Sequence, residues 1–448
     1  PSRMAEVLNR VIEKAFRGSA PAQINVPRDY WTQVIDIELP PIVRFERQGG
    51  GKEAIENAAK LLSKAKFPVI LSGAGVVLGG AIDECKKLAE KLDAPVCNGY
   101  QHNDSFPGSH PLAVGPLGYN GSKAAMELIS KADVVLALGT RLNPFSTLPG
   151  YGIDYWPKKA TIIQVDMNPD RIGLTKKVSV GICGDAKQVA QQILDKLSSD
   201  AGNTGREERK NLIHKTKSAW LQTLSGLDHE EDDPGTVWNK EARERDKDRM
   251  SPRQAWRAIQ DALPQDAIIS SDIGNNCAIG NAYPTFEKPR KYLAPGLFGP
   301  CGYGFPAILG AKIGCPDTPV VGFAGDGAFG ISMNEMSSCA REEWPAITMV
   351  IFRNYQWGAE KRNSILWFDD NFVGTELDPE LSYAKVANAC GLKGVTCKTM
   401  EETTKAIKQS CEDQKKGITT FIEIILNQEL GEPFRSCLLY TSDAADDP

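Results

Sequence analysis

A Gly-Asp-Gly turn at residues 325–327 constrains the fold of this chain more than any other feature. The apolar run before it, residues 319–324, predicts a short buried strand, and the spacing of apolar side chains after it predicts a helix. A second apolar run, residues 346–352, predicts another strand that ends just before Asn354. Because a strand, a crossover helix and a strand place two parallel strands together, Asp326 and Asn354 are expected to meet at their carboxyl ends.

The residue types at this turn suit a metal ion and a phosphate group. One carboxylate, one amide oxygen and a few backbone carbonyls are ligands that Mg²⁺ prefers. Gly325 and Gly327 allow a ligand to approach the backbone closely, and a helix starting near Ala328 directs N–H groups at an anion. An isolated Gly-Asp-Gly is more often only a turn, but Asn354 on the next strand makes a metal-bridged diphosphate the more specific interpretation.

Apolar runs alternate with segments of helical spacing along most of the chain. Such alternation predicts an α/β fold with doubly wound parallel sheets. A polar, highly charged stretch interrupts the pattern and is predicted to be a solvated helical connector. The division that follows is a segment at 1–36, a linker at 37–49, a central domain at 50–197, the charged connector at 198–250, a further domain at 251–435 and a tail at 436–448.

Composition narrows the class of protein. A length of 448 residues suits two or three domains, and 41% hydrophobic with 24% charged residues is typical of a globular protein with a large core. The net charge of −5 gives no reason to expect a nucleic acid or a membrane surface as partner. The 11 cysteines lack Cys-x-x-Cys spacing, which disfavours a zinc site or disulfide framework and favours a reducing cytoplasm.

Gly-Asp-Gly, a helix, a strand and then Asn is similar to the fingerprint of the thiamine diphosphate-dependent enzymes, in their acetolactate-synthase-like branch. Within that branch, the runs 299–314 and 352–377 resemble the sulfoacetaldehyde acetyltransferase family. The resemblance implies thiamine diphosphate and Mg²⁺ as cofactors. It implies that the metal is held by the side chains of Asp326 and Asn354 and by the carbonyl of Gln356.

The resemblance also implies which residues contact the organic cofactor. They are Gly274, Asn275, Asn276, Gly299, Cys301, Gly325, Gly327 and Ala328. Cys301 stands where relatives often carry a bulky residue that bends the cofactor, so another group is expected to support it here. A nucleophilic Cys301 is the alternative, and it is disfavoured because all four histidines precede the domain at 251–435.

The reaction implied by the resemblance converts sulfoacetaldehyde and phosphate to acetyl phosphate and sulfite. Both substrates are anions, so Arg353, where the family usually has Asn, and Arg362 are candidate anion-binding residues, although each is also compatible with ordinary surface charge. The family places its active site at the interface of a homodimer or homotetramer.

The two ends of the chain lead to separate predictions. Residues 1–36 resemble the end of the family's pyrimidine-binding domain, with its last strand at 22–29. The activating glutamate is therefore expected upstream of Pro1, and the chain by itself is expected to be inactive. Residues 436–448 resemble no part of the family and are expected to be a non-native tail.

Three other functions stay open. The first is an acetolactate-synthase-like carboligase or a 2-oxo acid decarboxylase, which shares all the cofactor residues. The second is a non-catalytic homologue that keeps the fold. The third is a nicotinamide-dependent dehydrogenase, which depends only on Gly73-x-Gly75 and lacks the rest of the fingerprint. The sequence after Arg141 departs from the family members that bind FAD, so the central domain is expected to be structural.

Overall fold

The computed structural model describes residues 1–430 except 19, 42–45, 227–243, 297 and 370, and no side chains at 365–367. The predicted tail at 436–448 lies outside the described residues. The strands are β1 (Pro68–Ser72), β2 (Val96–Asn98), β3 (Ala113–Pro116), β4 (Val134–Leu138), β5 (Thr161–Asp166), β6 (Val180–Cys183), β7 (Ile268–Ser271), β8 (Tyr292–Leu293), β9 (Val320–Gly325), β10 (Thr348–Arg353), β11 (Lys393–Cys397) and β12 (Thr420–Ile425). The α-helices of this part of the chain are α1 (Met4–Gly18), α2 (Lys52–Lys64), α3 (Ala74–Gly79), α4 (Ile82–Leu92), α5 (Lys123–Ile129), α6 (Ala186–Lys196), α7 (Arg206–Gly226), α8 (Pro252–Ala262), α9 (Asn275–Ile279), α10 (Gly304–Gly314), α11 (Asp326–Ser332), α12 (Met336–Cys339), α13 (Gly358–Trp367), α14 (Tyr383–Ala389) and α15 (Met400–Gln414).

The first sheet has the strand order β3-β2-β1-β4-β5-β6, with every pair parallel. All five residues of β1 and of β4 are buried, as expected for central strands covered by helices on both faces. Gly73 and Gly75 follow β1, where a Cβ at Gly75 would lie 2.7 Å from the Cα of Gly139 after β4. These glycines therefore allow two loops to pack closely, which accounts for them without a nucleotide.

The second sheet has the order β11-β12-β10-β9-β7-β8, and its strands are also parallel. The predicted α/β fold with doubly wound parallel sheets is confirmed. β9 pairs directly with β10, with Gly325 opposite Phe352. Asp326 and Asn354, which follow these residues, consequently leave the sheet at the same edge.

Trp256 joins the core of the second sheet to the end of β7. Its ring lies 4.8 Å from that of Phe323 and 5.2 Å from that of Phe352, between centres. Its indole N–H donates to the carbonyl of Asn276 over 2.7 Å. Trp256 lies on α8, which begins after Ser251 with a full capping box, so the sequence of this helix start positions a core aromatic residue beneath the end of β7.

The two sheets are joined through polar contacts of residues 103–104. The side-chain amide of Asn103 donates to the carbonyls of Asn281 (2.8 Å) and Pro284 (2.9 Å). Buried Asp104 accepts the backbone N–H of Lys291 over 3.0 Å, at the start of β8. These bonds fix the end of the first sheet against an edge of the second.

Three local predictions need correction. The helix after the Gly-Asp-Gly turn is not continuous, because a 3-10 turn at Met333–Glu335 separates α11 from α12. Ala340, which the helical spacing predicts to share a face with Met333 and Met336, is exposed. The segment 22–29 is not a strand, since residues 22–27 pair with no described strand and Arg28–Tyr30 form a 3-10 turn.

The predicted connector is also less solvated than its charge suggests. Residues 227–243 lie outside the described residues, but the helix before them, α7, packs its Trp220 and Leu224 into the core. Buried Arg209 of α7 donates five hydrogen bonds to backbone carbonyls of residues 66, 92, 93, 202 and 204. A single guanidinium thereby fixes this helix to the first sheet's domain.

Candidate active site

Asp326 begins α11 at the end of β9 and is 1% exposed. Its Oδ2 accepts two donors, Nη1 of Arg353 (3.0 Å) and the backbone N–H of Tyr355 (2.7 Å), whereas Oδ1 accepts, among the described residues, only the N–H of Gly327 (3.0 Å). Burial raises the pKa of Asp326 to about 6, and the charge of Arg353 and these donors oppose that shift. The carboxylate is therefore fixed in orientation, and Oδ1 keeps capacity for a cation.

Three side-chain amide oxygens in the segments that follow β7 and β10 are buried and accept no hydrogen bond from the described residues. They are Oδ1 of Asn354, Oε1 of Gln356 and Oδ1 of Asn276. The side-chain amide of Gln356 is used elsewhere, donating to the carbonyl of Gln428 over 3.1 Å. A buried acceptor without a donor costs about 1–3 kcal/mol, so Oδ1 of Asn354, at the strand end next to that of Asp326, fits a bound cation.

The glycines of the site fall into two kinds. A Cβ at Gly274 or Gly325 would meet no atom within 4 Å, and Gly274 has a φ of 129° that side chains rarely adopt. A Cβ at Gly327 would instead lie 2.8 Å from the ring of Trp357. Open space at the first two positions, with the unpartnered buried amide nitrogen of Asn275 at the start of α9, leaves room for a ligand with oxyanion groups.

Asp272, at the end of β7, organises the loop that contains Gly299 and Cys301. Its carboxylate accepts the N–H groups of Ile273 (2.8 Å), Gly302 (3.1 Å) and Gly304 (2.7 Å). No role for Asp272 is predicted from the sequence, although its position at the end of a strand, directly before the predicted cofactor-binding residues 274–276, was a signal that could have indicated one.

The loop at 299–302 lies against Ile273 and Ile331, and its contact with the cofactor stays a prediction. Gly299 and Gly302 have φ of 60° and 86°, the left-handed region that glycine adopts without strain. Cys301 is exposed, and burial of its sulfur together with the nearby charges of Asp272 and Glu360 raises its pKa. A raised pKa lowers the thiolate fraction, which argues against a nucleophilic Cys301.

The two candidate anion-binding arginines are both buried. Arg353 already contacts Asp326 and donates to the carbonyl of Leu381 over 3.1 Å. The guanidinium carbon of Arg362 lies 5.3 Å from the ring centre of Tyr119, whose hydroxyl donates to Oδ1 of Asn275 over 3.2 Å. Arg362 therefore lies close to a predicted cofactor residue and to the first sheet's domain. Neither anion-binding role is tested, and both stay predictions.

Two features that the described residues lack limit the kind of site. No group of three or more His, Cys, Asp or Glu side chains is placed to hold a metal ion there. The described residues around Asp326 therefore lack the ligand cluster that is typical of a zinc site. No helix in this part of the chain has the length and apolar character needed to cross a membrane.

Comparison with protein-family models places these residues in a known family. Residues 55–193 match the model described as "Thiamine pyrophosphate enzyme, central domain". Residues 272–424, which contain Asp326, Asn354 and Asp272, match the model described as "Thiamine pyrophosphate enzyme, C-terminal TPP binding domain". The chain belongs to the thiamine diphosphate-dependent enzymes. The predicted family and the predicted organic cofactor are confirmed.

Relatives within this enzyme family are very similar in sequence. The chain is 78% identical over 435 residues to the probable sulfoacetaldehyde acetyltransferase of Rhizobium meliloti, covering 97% of this chain and 74% of that protein. It is 75% identical over 435 residues to the sulfoacetaldehyde acetyltransferase of Roseovarius nubinhibens, covering 97% and 72%. The predicted resemblance to that group is confirmed.

A solved structure shares the fold. The benzoylformate decarboxylase of Polynucleobacter necessarius superimposes with a TM-score of 0.74 over 97% of this chain and 75% of that chain. At 20% identity this likeness concerns the fold alone. For a thiamine diphosphate-dependent enzyme, the unpartnered Oδ1 of Asn354 and the open space at Gly274 and Gly325 fit a diphosphate with a bound cation.

Proposed function

We propose that this chain is a sulfoacetaldehyde acetyltransferase, which converts sulfoacetaldehyde and phosphate to acetyl phosphate and sulfite. The observation that carries the proposal is the 78% identity to a relative of that name, together with the fixed Asp326 beside Asn354. The C–S bond breaks and sulfite leaves with its electron pair. The aldehyde carbon is oxidised to the acyl level while its neighbour is reduced to a methyl group, so no outside oxidant is required.

The metal in this proposal is Mg²⁺. Asp326, the side chain of Asn354 and the carbonyl of Gln356 hold it, and an ion at this position satisfies the unpartnered Oδ1 of Asn354. Thiamine diphosphate, when bound, supplies a nucleophilic carbon for the aldehyde. The diphosphate of the cofactor is bound and oriented by Gly274, Asn275, Asn276, Gly325, Gly327 and Ala328. Gly299 and Cys301 line the site of the rest of the cofactor.

Both substrates carry an oxyanion group that the site must recognise. Arg362 is the better candidate because its buried guanidinium lies over Tyr119, which is bonded to the cofactor-site residue Asn275. A planar guanidinium can bind two oxygens of a sulfonate or phosphate at once. Arg353 has the same chemistry, but its contacts with Asp326 and with Leu381 favour the different role argued below.

The proposal includes the setting of the enzyme. Ten cysteines of the described chain are free thiols, which supports a reducing cytoplasm. The central domain at 50–197 is structural, because close packing accounts for Gly73 and Gly75. The chain acts as a homodimer or homotetramer with its active site at the subunit interface, in a pathway that degrades organic sulfonates such as taurine.

Sulfite release from sulfoacetaldehyde tests the function. The assay contains thiamine diphosphate and Mg²⁺, with and without phosphate. It uses this chain and a chimera in which these residues replace the 435 matched residues of the Rhizobium meliloti relative. Sulfite and acetyl phosphate from the chimera, formed together and only with phosphate, are expected, and Asp326→Asn should abolish both. Pyruvate is the competing substrate: carbon dioxide from pyruvate without sulfite would assign the chain to the carboligase group.

A further inference from the structure

Tyr355, which lies between the proposed metal ligands Asn354 and Gln356, has a strained backbone. Its φ of 61° is in the left-handed region, which a residue with a side chain adopts at a cost of about 1 kcal/mol or more. Two hydrogen bonds made by its backbone groups hold Tyr355 in this conformation. Its N–H donates to Oδ2 of Asp326 (2.7 Å), and its carbonyl accepts the N–H of Leu377 (2.9 Å). The metal turn therefore depends on contacts that maintain this conformation.

Arg353 contacts every part of that arrangement. Its Nη1 donates to the same Oδ2 of Asp326 over 3.0 Å, and its guanidinium carbon lies 4.2 Å from the ring centre of Tyr355. Its Nη2 donates to the carbonyls of Asp378 and Leu381. One guanidinium thus joins the metal-binding carboxylate, the strained residue and the segment 375–381 that pairs with the turn.

The buried carboxylates around Arg353 indicate the same structural role for this arginine. Nε of Arg353 lies 3.9 Å from a carboxylate oxygen of Glu423, and Glu423, Asp326 and Arg353 are all buried. Without the arginine, two buried carboxylates would face each other with no cation between them, which is costly. With Arg353 present, Oδ2 of Asp326 accepts two hydrogen bonds. Oδ1 accepts one N–H from the described residues, so it is the oxygen that can bind a metal ion.

We propose that Arg353 is a positioning residue that holds Asp326 and Tyr355 in the geometry required for Mg²⁺. The inference deepens the proposed function and rests on the magnesium site described above. An asparagine at this position would lack both the charge and the reach to make these contacts together.

Calorimetric titration of the chimera described above, which is the parent chain of the variants, tests the proposal, with Mg²⁺ titrated at saturating thiamine diphosphate. The variants are Arg353→Lys, which keeps the charge but not the fork, and the double change Arg353→Met with Glu423→Gln, which keeps the net charge of the cluster. The control is Arg249→Met, because Arg249 also lies over the Tyr355 ring, at 4.7 Å, but bonds to Asp246 and not to Asp326.

Both Arg353 variants should bind Mg²⁺ about 10–100-fold more weakly, the usual effect of losing a residue that orients a metal ligand, while the control is unchanged. The paramagnetic resonance spectrum of bound Mn²⁺ should change in Arg353→Lys, although its urea midpoint stays close to that of the parent chain. Wild-type affinity in Arg353→Lys would overturn the inference alone. No Mg²⁺-dependent binding by the parent chain would overturn the metal site and the inference together.

Discussion

Replacement of Asp272 by asparagine should loosen the loop around Gly299 and Cys301. The buried carboxylate accepts three backbone N–H groups, from Ile273, Gly302 and Gly304, at 2.7–3.1 Å. Hydrogen bonds to a charged group contribute about 1.5–3 kcal/mol each, and a buried donor left without an acceptor costs about 1–3 kcal/mol. Asparagine keeps one acceptor oxygen and turns an NH₂ group toward an N–H donor. The free energy of unfolding should therefore fall by about 2–4 kcal/mol.

Urea denaturation measures this change, with tryptophan fluorescence as the signal. For an m-value of about 2 kcal/mol per M, the midpoint of Asp272→Asn should fall by about 1–2 M. Affinity for thiamine diphosphate should fall as well, because the loop borders the proposed cofactor site. The control is Asp317→Asn, since Asp317 is exposed. Equal midpoints for the two variants would show that other contacts hold the loop and that the reasoning from three bonds is wrong.

Two further predictions concern backbone space and pH. Gly327→Ala should lower the free energy of unfolding by about 1–3 kcal/mol, because the new Cβ would lie 2.8 Å from the Trp357 ring. Gly325→Ala, in open space, should keep the thermal midpoint but weaken thiamine diphosphate binding in a titration; a normal affinity would place the diphosphate elsewhere. Burial, with the charge of Arg141, lowers the pKa of His102 from 6.5 to about 4. The unfolded chain takes up this proton between those pH values and the folded chain does not, so stability should decline from pH 6.5 to 4, and His102→Gln should reduce that decline in urea midpoints.

The family, and the meeting of Asp326 and Asn354 at one edge of a sheet, could be predicted from the sequence because both depend on local order along the chain. Asp326 and Asn354 follow adjacent apolar runs, and a right-handed crossover leaves little choice but to place those runs side by side. The parallel sheets follow from the same alternation of runs and helical spacing. These features are statements about neighbours in the chain, which periodicity and turn chemistry encode directly.

The roles of individual glycines and charged residues were harder to predict from the sequence. Gly73 and Gly75 suggested a nucleotide site, but their reason is the close approach of Gly139, which lies far away in sequence. The prediction of a strand at 22–29 is wrong, because a strand forms only where another strand lies beside it to share backbone hydrogen bonds. Sequence identifies a residue that tolerates unusual geometry, but not the neighbour that requires it.

By itself, the sequence determined the α/β class, the thiamine diphosphate fingerprint and the expectation of a single-carboxylate metal site. Only the tertiary structure decided that Asp272 holds the cofactor loop and that Arg353 bonds to Asp326 and not simply to solvent. The reason is physical. A motif fixes which groups leave the ends of strands, whereas the donors that orient a buried carboxylate come from segments that meet only when the chain is folded.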